Sequence, residues 1–298
     1  MKIAIFCLLI LMANTGQAVE ILIGRNAHHG YRTFLDGRDP TLITDYRDIE
    51  SNREVVELVL LHQALRLGGY DEPIELVVQH LEYLRSIRII ANGSYPLWAN
   101  SVWRSDAQEM ANSLYLTKPV VQRGEYLVGL YTHPSNSKAL AAQTLQDVQQ
   151  LAALSNENFS VDWKTLQSLD LRAIYSNPNW YSYGKALANN RADFMLTPFQ
   201  PTAGQVFLHK EYTKNDEVEV TVVLVPIPNL QVYLDGSRHW IISKKHPEGE
   251  KLFQALEKGL AILEQTGQRK KALLQSGFIP DDSDSKLTLN PEQLTVVP

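Results

Sequence analysis

The sequence predicts an α/β protein built as two lobes. Three observations carry that prediction. Apolar runs of strand length alternate with segments of helical periodicity from residue 19 onward. The rhythm starts a second time after Lys118 and Pro119. No Pro/Ser linker and no internal repeat separates the two copies, so strands rather than a tether would join the lobes. At 298 residues with 44% hydrophobic and 20% charged side chains, the chain is long enough for two modest cores and too apolar to be disordered.

Lys2 and the ten-residue apolar run IAIFCLLILM open the chain, followed by Gly16 and Ala18 at the −3 and −1 places of a cleavage site. That order predicts a signal peptide over 1–18, removed after Ala18. Ten residues cover only about half of a bilayer core as a helix, so a membrane span is not expected. Cys7, the one cysteine, leaves with this segment, and the exported chain has no thiol for a disulfide or a thiolate metal site. In a Gram-negative cell the compartment would be the periplasm.

VEILIG (19–24) is predicted as a buried strand, followed by a polar, Gly-containing stretch to about Asn52. Ser51 with Glu54 three residues later predicts a capping box for the helix REVVELVLLHQALRLGG, which stops at Gly68 and Gly69. IELVV (74–78) is a strand, HLEYLRSIRIIANG a helix ending at Gly93, and YPLWANSVW a strand whose Pro96 places its start at an edge. In the second copy, EYLVGLYTH is a strand and LQDVQQL a helical turn. AALSNENF reads as a strand plus loop, SVDWKTLQSLDL as a helix capped by Ser160, and RAIYSN as a strand. Residues 180–190 form a helix, and ADFMLTPF and EVEVTVVLVPI are strands. HWIISKK is a return strand and 248–278 supply one or two closing helices, while the tail 281–298 is expected to be loosely ordered.

Lys and Arg number 28 against 33 Asp and Glu, a net charge of −5 without a basic run, which disfavours nucleic acid as a partner. No GxGxxG, GxxxxGK[ST], GxSxG or HExxH occurs, so no catalytic residue is assigned and no cofactor is expected. His28 and His29 are adjacent and lack a third ligand, so no metal is expected either. Asn92-Gly-Ser and Asn158-Phe-Ser match glycosylation sequons by pattern alone.

Four stretches, ALRLGGYDEPIELVV, KPVVQRGEYLVGLYT, LQSLDLRAIYSNPNWYSYGKALANNRADFMLTPF and SRHWIISKKHPEGEKLFQALEKGLAILEQTGQRKKALLQSGF, together resemble bacterial extracellular solute-binding proteins of family 3. They span most of 55–278. The resemblance implies the two-lobed type II periplasmic-binding fold, each lobe a mixed, mostly parallel sheet flanked by helices. Lobe one would be 19–127 plus 241–280 and lobe two 128–240, with hinges near Leu127 and Ile241 and a ligand cleft between them.

Such receptors hold a ligand carboxylate with an Arg that begins a helix after the third strand. Gln108 stands at that place here, and Arg104, four residues earlier, is the nearest cation. The family's amine-binding Asp would fall near Pro198, where no acid stands. The expected ligand-binding set is therefore Arg104 with Trp98, Trp103 and Gln108 from lobe one, and Asn156, Asn158, Asp162, Thr197 and Phe199 from lobe two. Arg104 would grip an anionic group between indole faces, and the helix start at 156–162 would favour the same charge. In the structural alternative the tryptophans are core, the asparagines shape a turn and Ser160 only caps; Trp163 and Trp180 divide between cleft and core in the same way. The expected function is non-catalytic capture of a small polar or anionic solute by a monomer serving an inner-membrane ABC permease or a sensor. Two alternatives stand beside it: an enzyme on the same fold, resembling dehydratases of small carboxylic acids, and a degenerate receptor that binds a protein partner.

Overall fold

The computed structural model describes residues 18–212, 218–279 and 285–292, so the expected signal peptide over 1–18 lies, but for Ala18, outside the described residues. Strand β1 (Val19–Gly24) runs parallel to β2 (Ile74–Gln79). Between them come two helices. The first, α1 (Arg25–Leu35), occupies part of the polar, Gly-containing stretch for which the sequence predicts no element. Its buried Ala27, Tyr31 and Phe34 recur at i, i+4 and i+7, and Gly30 lets it approach α2, where a Cβ would meet Val55 at 3.0 Å. Helix α2 (Arg53–Gly68) starts one residue later than the capping box implies. Asn52 Oδ1 accepts from the Val55 N–H at 3.2 Å, while the Ser51 hydroxyl donates to the Tyr46 carbonyl instead. Asn52→Ala is expected to cost about 1 kcal/mol in urea denaturation; an unchanged midpoint would show that Asn52 is not the cap.

Helix α3 (Tyr83–Asn92) ends as read at Gly93, whose φ of 92° suits glycine. The strand expected over 95–103 is broken. Leu97 and Trp98 make single bridges to Ile242 and Leu22, and only β3 (Val102–Trp103) pairs further on. Pro96 cannot donate at the start of that run, and residues 99–101 turn toward the second half of the chain. Helix α4 (Arg104–Gln108) and β4 (Leu114–Leu116) complete the first half.

The second half is organised around β5 (Leu127–Thr132). In chain order follow α5 (Ser137–Leu140), α6 (Leu145–Gln149), β6 (Ala152–Ser155), α7 (Ser160–Ser168) and β7 (Ala173–Ser176). Then come α8 (Tyr183–Ala188), β8 (Met195–Pro198), β9 (Phe207–Tyr212), β10 (Val218–Pro226) and β11 (Leu230–Tyr233). β6 and β7 are parallel, and β6 bridges to Phe194 before β8, whereas β5 pairs antiparallel with β8, β10 and β11. The polar run FLHKEY and the four-residue LQVY, neither expected as a strand, are drawn into the sheet by these neighbours.

The chain returns through β12 (Arg238–His239), antiparallel to β3, and β13 (Ile241–Ser243), antiparallel to β4. Leu127 pairs with Tyr233, but Val121 bridges Arg238, so the two crossings lie at 122–126 and 234–237. Arg123 and Asp235 pair across them at 2.6 Å. Helices α9 (Gly249–Gln265) and α10 (Gln268–Gln275) close the first half, and α9 packs on α2 through Gly68 and Gly259. From α10, buried Arg269 holds the first crossing through Glu125 at 2.7 Å and the Val120 carbonyl at 3.1 Å. Inside the tail expected to be loosely ordered, β14 (Leu287–Thr288) lies parallel to β11, and Asn290 exchanges two hydrogen bonds with the Tyr233 backbone.

Candidate functional site

Where the two halves face each other, the core turns ionic. Arg53 and Glu57 stand one turn apart on α2 and pair at 2.8 Å, with Glu57 fully buried. Ser101 sits in the broken strand before β3. Its N–H donates to Glu57 Oε2 at 3.0 Å and its hydroxyl to Oε1 at 2.6 Å. Arg238 arrives on β12, opposite Trp103 in the β3 ladder. Its Nε donates to the Ser101 hydroxyl at 3.0 Å and its Nη2 to the Ser101 carbonyl. The Arg238 guanidinium lies 4.7 Å over the Trp103 ring and 5.9 Å from that of Tyr126, and the two rings meet edge to face at 4.9 Å. Burial alone would raise the Glu57 carboxyl, but Arg53, Arg238 and the Ser101 donors outweigh it and hold Glu57 below the ordinary carboxylate range.

The second half contributes α7. Ser160 does not cap this helix; its hydroxyl donates to Asp106 Oδ1 on α4. Asp106 Oδ2 accepts from the Tyr83 hydroxyl at 2.9 Å, and the Tyr83 hydroxyl oxygen in turn accepts from the Trp103 N–H at 2.9 Å. Asp162, two residues into α7, is pushed up to about 6 by burial, with Arg238 and Arg53 opposing the shift and Asp106 adding to it. At the rim, the His80 and Tyr181 rings stack at 5.7 Å. Two buried donors of this region have no partner among the described residues: Arg53 Nε and Asn100 Nδ2.

Of the nine residues expected to bind ligand, Trp103 and Asp162 meet in this cluster. Arg104 does not. It is exposed at the start of α4, its side chain makes no hydrogen bond or ion pair among the described residues, and only its backbone N–H is engaged, by the Ser237 carbonyl at 3.0 Å. The cation beside the aromatic rings is Arg238 instead, because the β3–β12 ladder aligns it with Trp103. Gln108 is exposed. Trp98 packs with Leu22, Ile87 and Val102 in the core of the first half. Asn156 turns the chain, its Oδ1 accepting from the Asn158 N–H at 3.0 Å, and Asn158 is exposed. Thr197 is buried opposite Gly129 on β5, and Phe199 joins the core around Tyr131. Trp180 packs against Tyr183 at 5.0 Å on the same core. The residues missed from sequence are Arg53, Glu57, Ser101, Asp106 and Arg238. One signal was available: an i, i+4 Arg–Glu pair inside an otherwise apolar helix.

Among the described residues no three His, Cys, Asp or Glu side chains gather as metal ligands, and no helix is long and apolar enough to cross a membrane. No protein-family model matches the sequence, and no curated protein matches it. Solved structures do. The probable amino-acid ABC transporter extracellular-binding protein ytmK of Bacillus subtilis is 12% identical with a TM-score of 0.51, covering 87% of this chain and 97% of its own. The ancestral amino acid-binding protein AncCDT-1, a precursor of cyclohexadienyl dehydratase, is 14% identical with a TM-score of 0.51, covering 87% and 95%. The chain thus has the two-lobed type II periplasmic-binding fold.

Proposed function

We propose that this protein is a non-catalytic receptor that captures a small polar solute between its lobes and hands it to an ABC permease or a sensor outside the inner membrane. The observation that carries this reading is the buried ionic cluster joining α2, the Ser101 turn and β12 at the face where α7 of the other lobe arrives. A largely buried site with fixed charges suits selective binding of a polar ligand. Arg238 is the anchor for the ligand's anionic group, assisted by the unpartnered donors Arg53 Nε and Asn100 Nδ2. Structurally similar proteins described as amino-acid-binding receptors support the class of ligand.

The test is a thermal-shift screen over amino acids, polyamines, dicarboxylates and sugar acids, followed by calorimetry. Arg238→Ala is expected to lose about 2–5 kcal/mol of binding, roughly 30-fold or more in affinity, whereas Arg104→Ala binds as wild type. The opposite result would return the anchor to Arg104.

An enzyme on the same fold is the second reading. Asp162, pushed up to about 6, has the value of a general acid at neutral pH. Mass spectrometry of the recovered ligand separates the two, since a receptor returns it unchanged.

A further inference from the structure

We infer that Ser237 is an activated hydroxyl and a modification site that takes the acyl group of a small reactive ester, with His239 as the base that receives its proton. The site stands apart from the ionic cluster and does not rest on the solute-capture reading.

Strand alternation separates the two. In the β3–β12 ladder Arg238 and Trp103 turn to the ionic cluster, so the neighbours Ser237 and His239 turn to the opposite face. Two residues apart on an extended chain, their side chains meet, with Ser237 Oγ 2.8 Å from His239 Nε2. On the far side of the ring, His239 Nδ1 lies 2.6 Å from the Thr117 carbonyl oxygen. That oxygen can only accept, so Nδ1 carries the ring proton. A neutral imidazole then has its lone pair on Nε2, and the Ser237 hydroxyl is the donor of the pair. Thr117 is itself fixed. Its N–H donates to the Trp240 carbonyl at 3.1 Å, and its hydroxyl oxygen accepts from the Trp240 N–H at 3.2 Å. A nucleophile, its base and a third group that orients the base are thus in hydrogen-bond reach of one another, which is what activation of a hydroxyl requires.

The surroundings keep the base free and the hydroxyl reachable. His239 is buried and is faced by Arg104 of α4, Arg238 of β12 and Glu257 of α9, the last 3.9 Å from Lys118. Burial, helped by the two guanidinium groups, holds the imidazole below its ordinary value against the Thr117 carbonyl and Glu257. Ser237 is only half-buried, and Arg104, whose N–H donates to the Ser237 carbonyl at 3.0 Å, is exposed beside it. Among the described residues the N–H groups of Gly236 and Ser237 donate to no acceptor, which leaves two donors next to the hydroxyl for a developing oxyanion.

The step balances with the ester as the sole co-reactant. Ser237 Oγ bonds to the carbonyl carbon of the ester as its proton passes to His239 Nε2. The bond from that carbon to the leaving oxygen then breaks, and the leaving group takes the proton from Nε2. The products are an acyl-serine and a free alcohol or phenol.

The experiment uses the exported protein and p-nitrophenyl acetate at pH 7.5, read by nitrophenolate release and by peptide mapping. A burst of nitrophenolate is expected, with the acetyl group on Ser237. Ser237→Ala should lose the burst, and His239→Gln should acylate Ser237 about 100-fold more slowly. Wild-type acylation should hold level near neutral pH and fall on acidification below the ordinary imidazole value of 6.5, a step that His239→Gln should lack. Acetyl groups on lysines or the amino terminus alone, with Ser237 unmodified, overturn the assignment. Equal acylation of Ser237 in His239→Gln overturns it too, because the hydroxyl would then act without its base. His239 is buried, so a melt checks that its variant folds. Should it not fold, the wild-type profile decides, and a rate that does not fall on acidification overturns the assignment. Solute capture at Arg238 stands or falls separately from each of these outcomes.

Discussion

Glu57→Ala is expected to destabilise the folded protein by about 3–5 kcal/mol, the usual penalty for removing one partner of a buried ion pair. The carboxylate is fully buried and takes three donors: Arg53 Nη1 at 2.8 Å, the Ser101 N–H at 3.0 Å and the Ser101 hydroxyl at 2.6 Å. Its removal strands Arg53, weakens the field that offsets Arg238, and leaves the Ser101 N–H without an acceptor. Glu57→Gln keeps the shape but not the charge and should lose less. The pH dependence follows from the depressed Glu57 value. Its stabilisation is present above the ordinary glutamate range and is lost as pH falls through the lower folded value, so wild type should outlast Glu57→Gln less and less as the solution is acidified. Urea denaturation at pH 7 and pH 4 measures both effects. A loss under about 1 kcal/mol for Glu57→Ala at pH 7 would mean that water, not protein, satisfies the cluster.

Gly259→Ala is expected to cost about 1–3 kcal/mol or more through overpacking at the α2–α9 crossing. A Cβ at Gly259 would stand 1.8 Å from the Ala64 carbonyl oxygen, and one at Gly68 would stand 1.9 Å from that of Ala255. Both obstacles are backbone, so no side chain can swing away and the helices themselves must separate. Gly68→Ala should behave alike. The double variant should cost less than the two singles together, because one separation relieves both clashes. Thermal melts of the three variants decide this. A Tm for Gly259→Ala within the scatter of wild type would place the two helices further apart than the glycines imply.

Much of the architecture was legible because it is local. The ends of α2 and α3 follow from Gly69 and Gly93, which adopt φ values of 87° and 92° that other residues avoid. The strands around VEILIG, IELVV and LVGLYT follow from short apolar runs. Helix α1 was equally local, with Ala27, Tyr31 and Phe34 on one face, but the polar residues between them hid the period. Strand β9 was not local: FLHKEY has no apolar run and becomes a strand by pairing with β10.

The candidate site divides on the same line. By itself the sequence singled out Trp103 and Asp162 as ligand-binding candidates and determined that no acid stands near Pro198. It did not distinguish Arg104 from Arg238. Nearness along the chain favoured Arg104, which the start of α4 leaves in solvent. Tertiary structure chose Arg238, 137 residues from the serine it grips, and brought Glu57 to the same serine across 44 residues. A buried charge is stable only where partners converge from several elements. That convergence depends on strand pairing and lobe approach, and neither leaves a periodic trace in the chain.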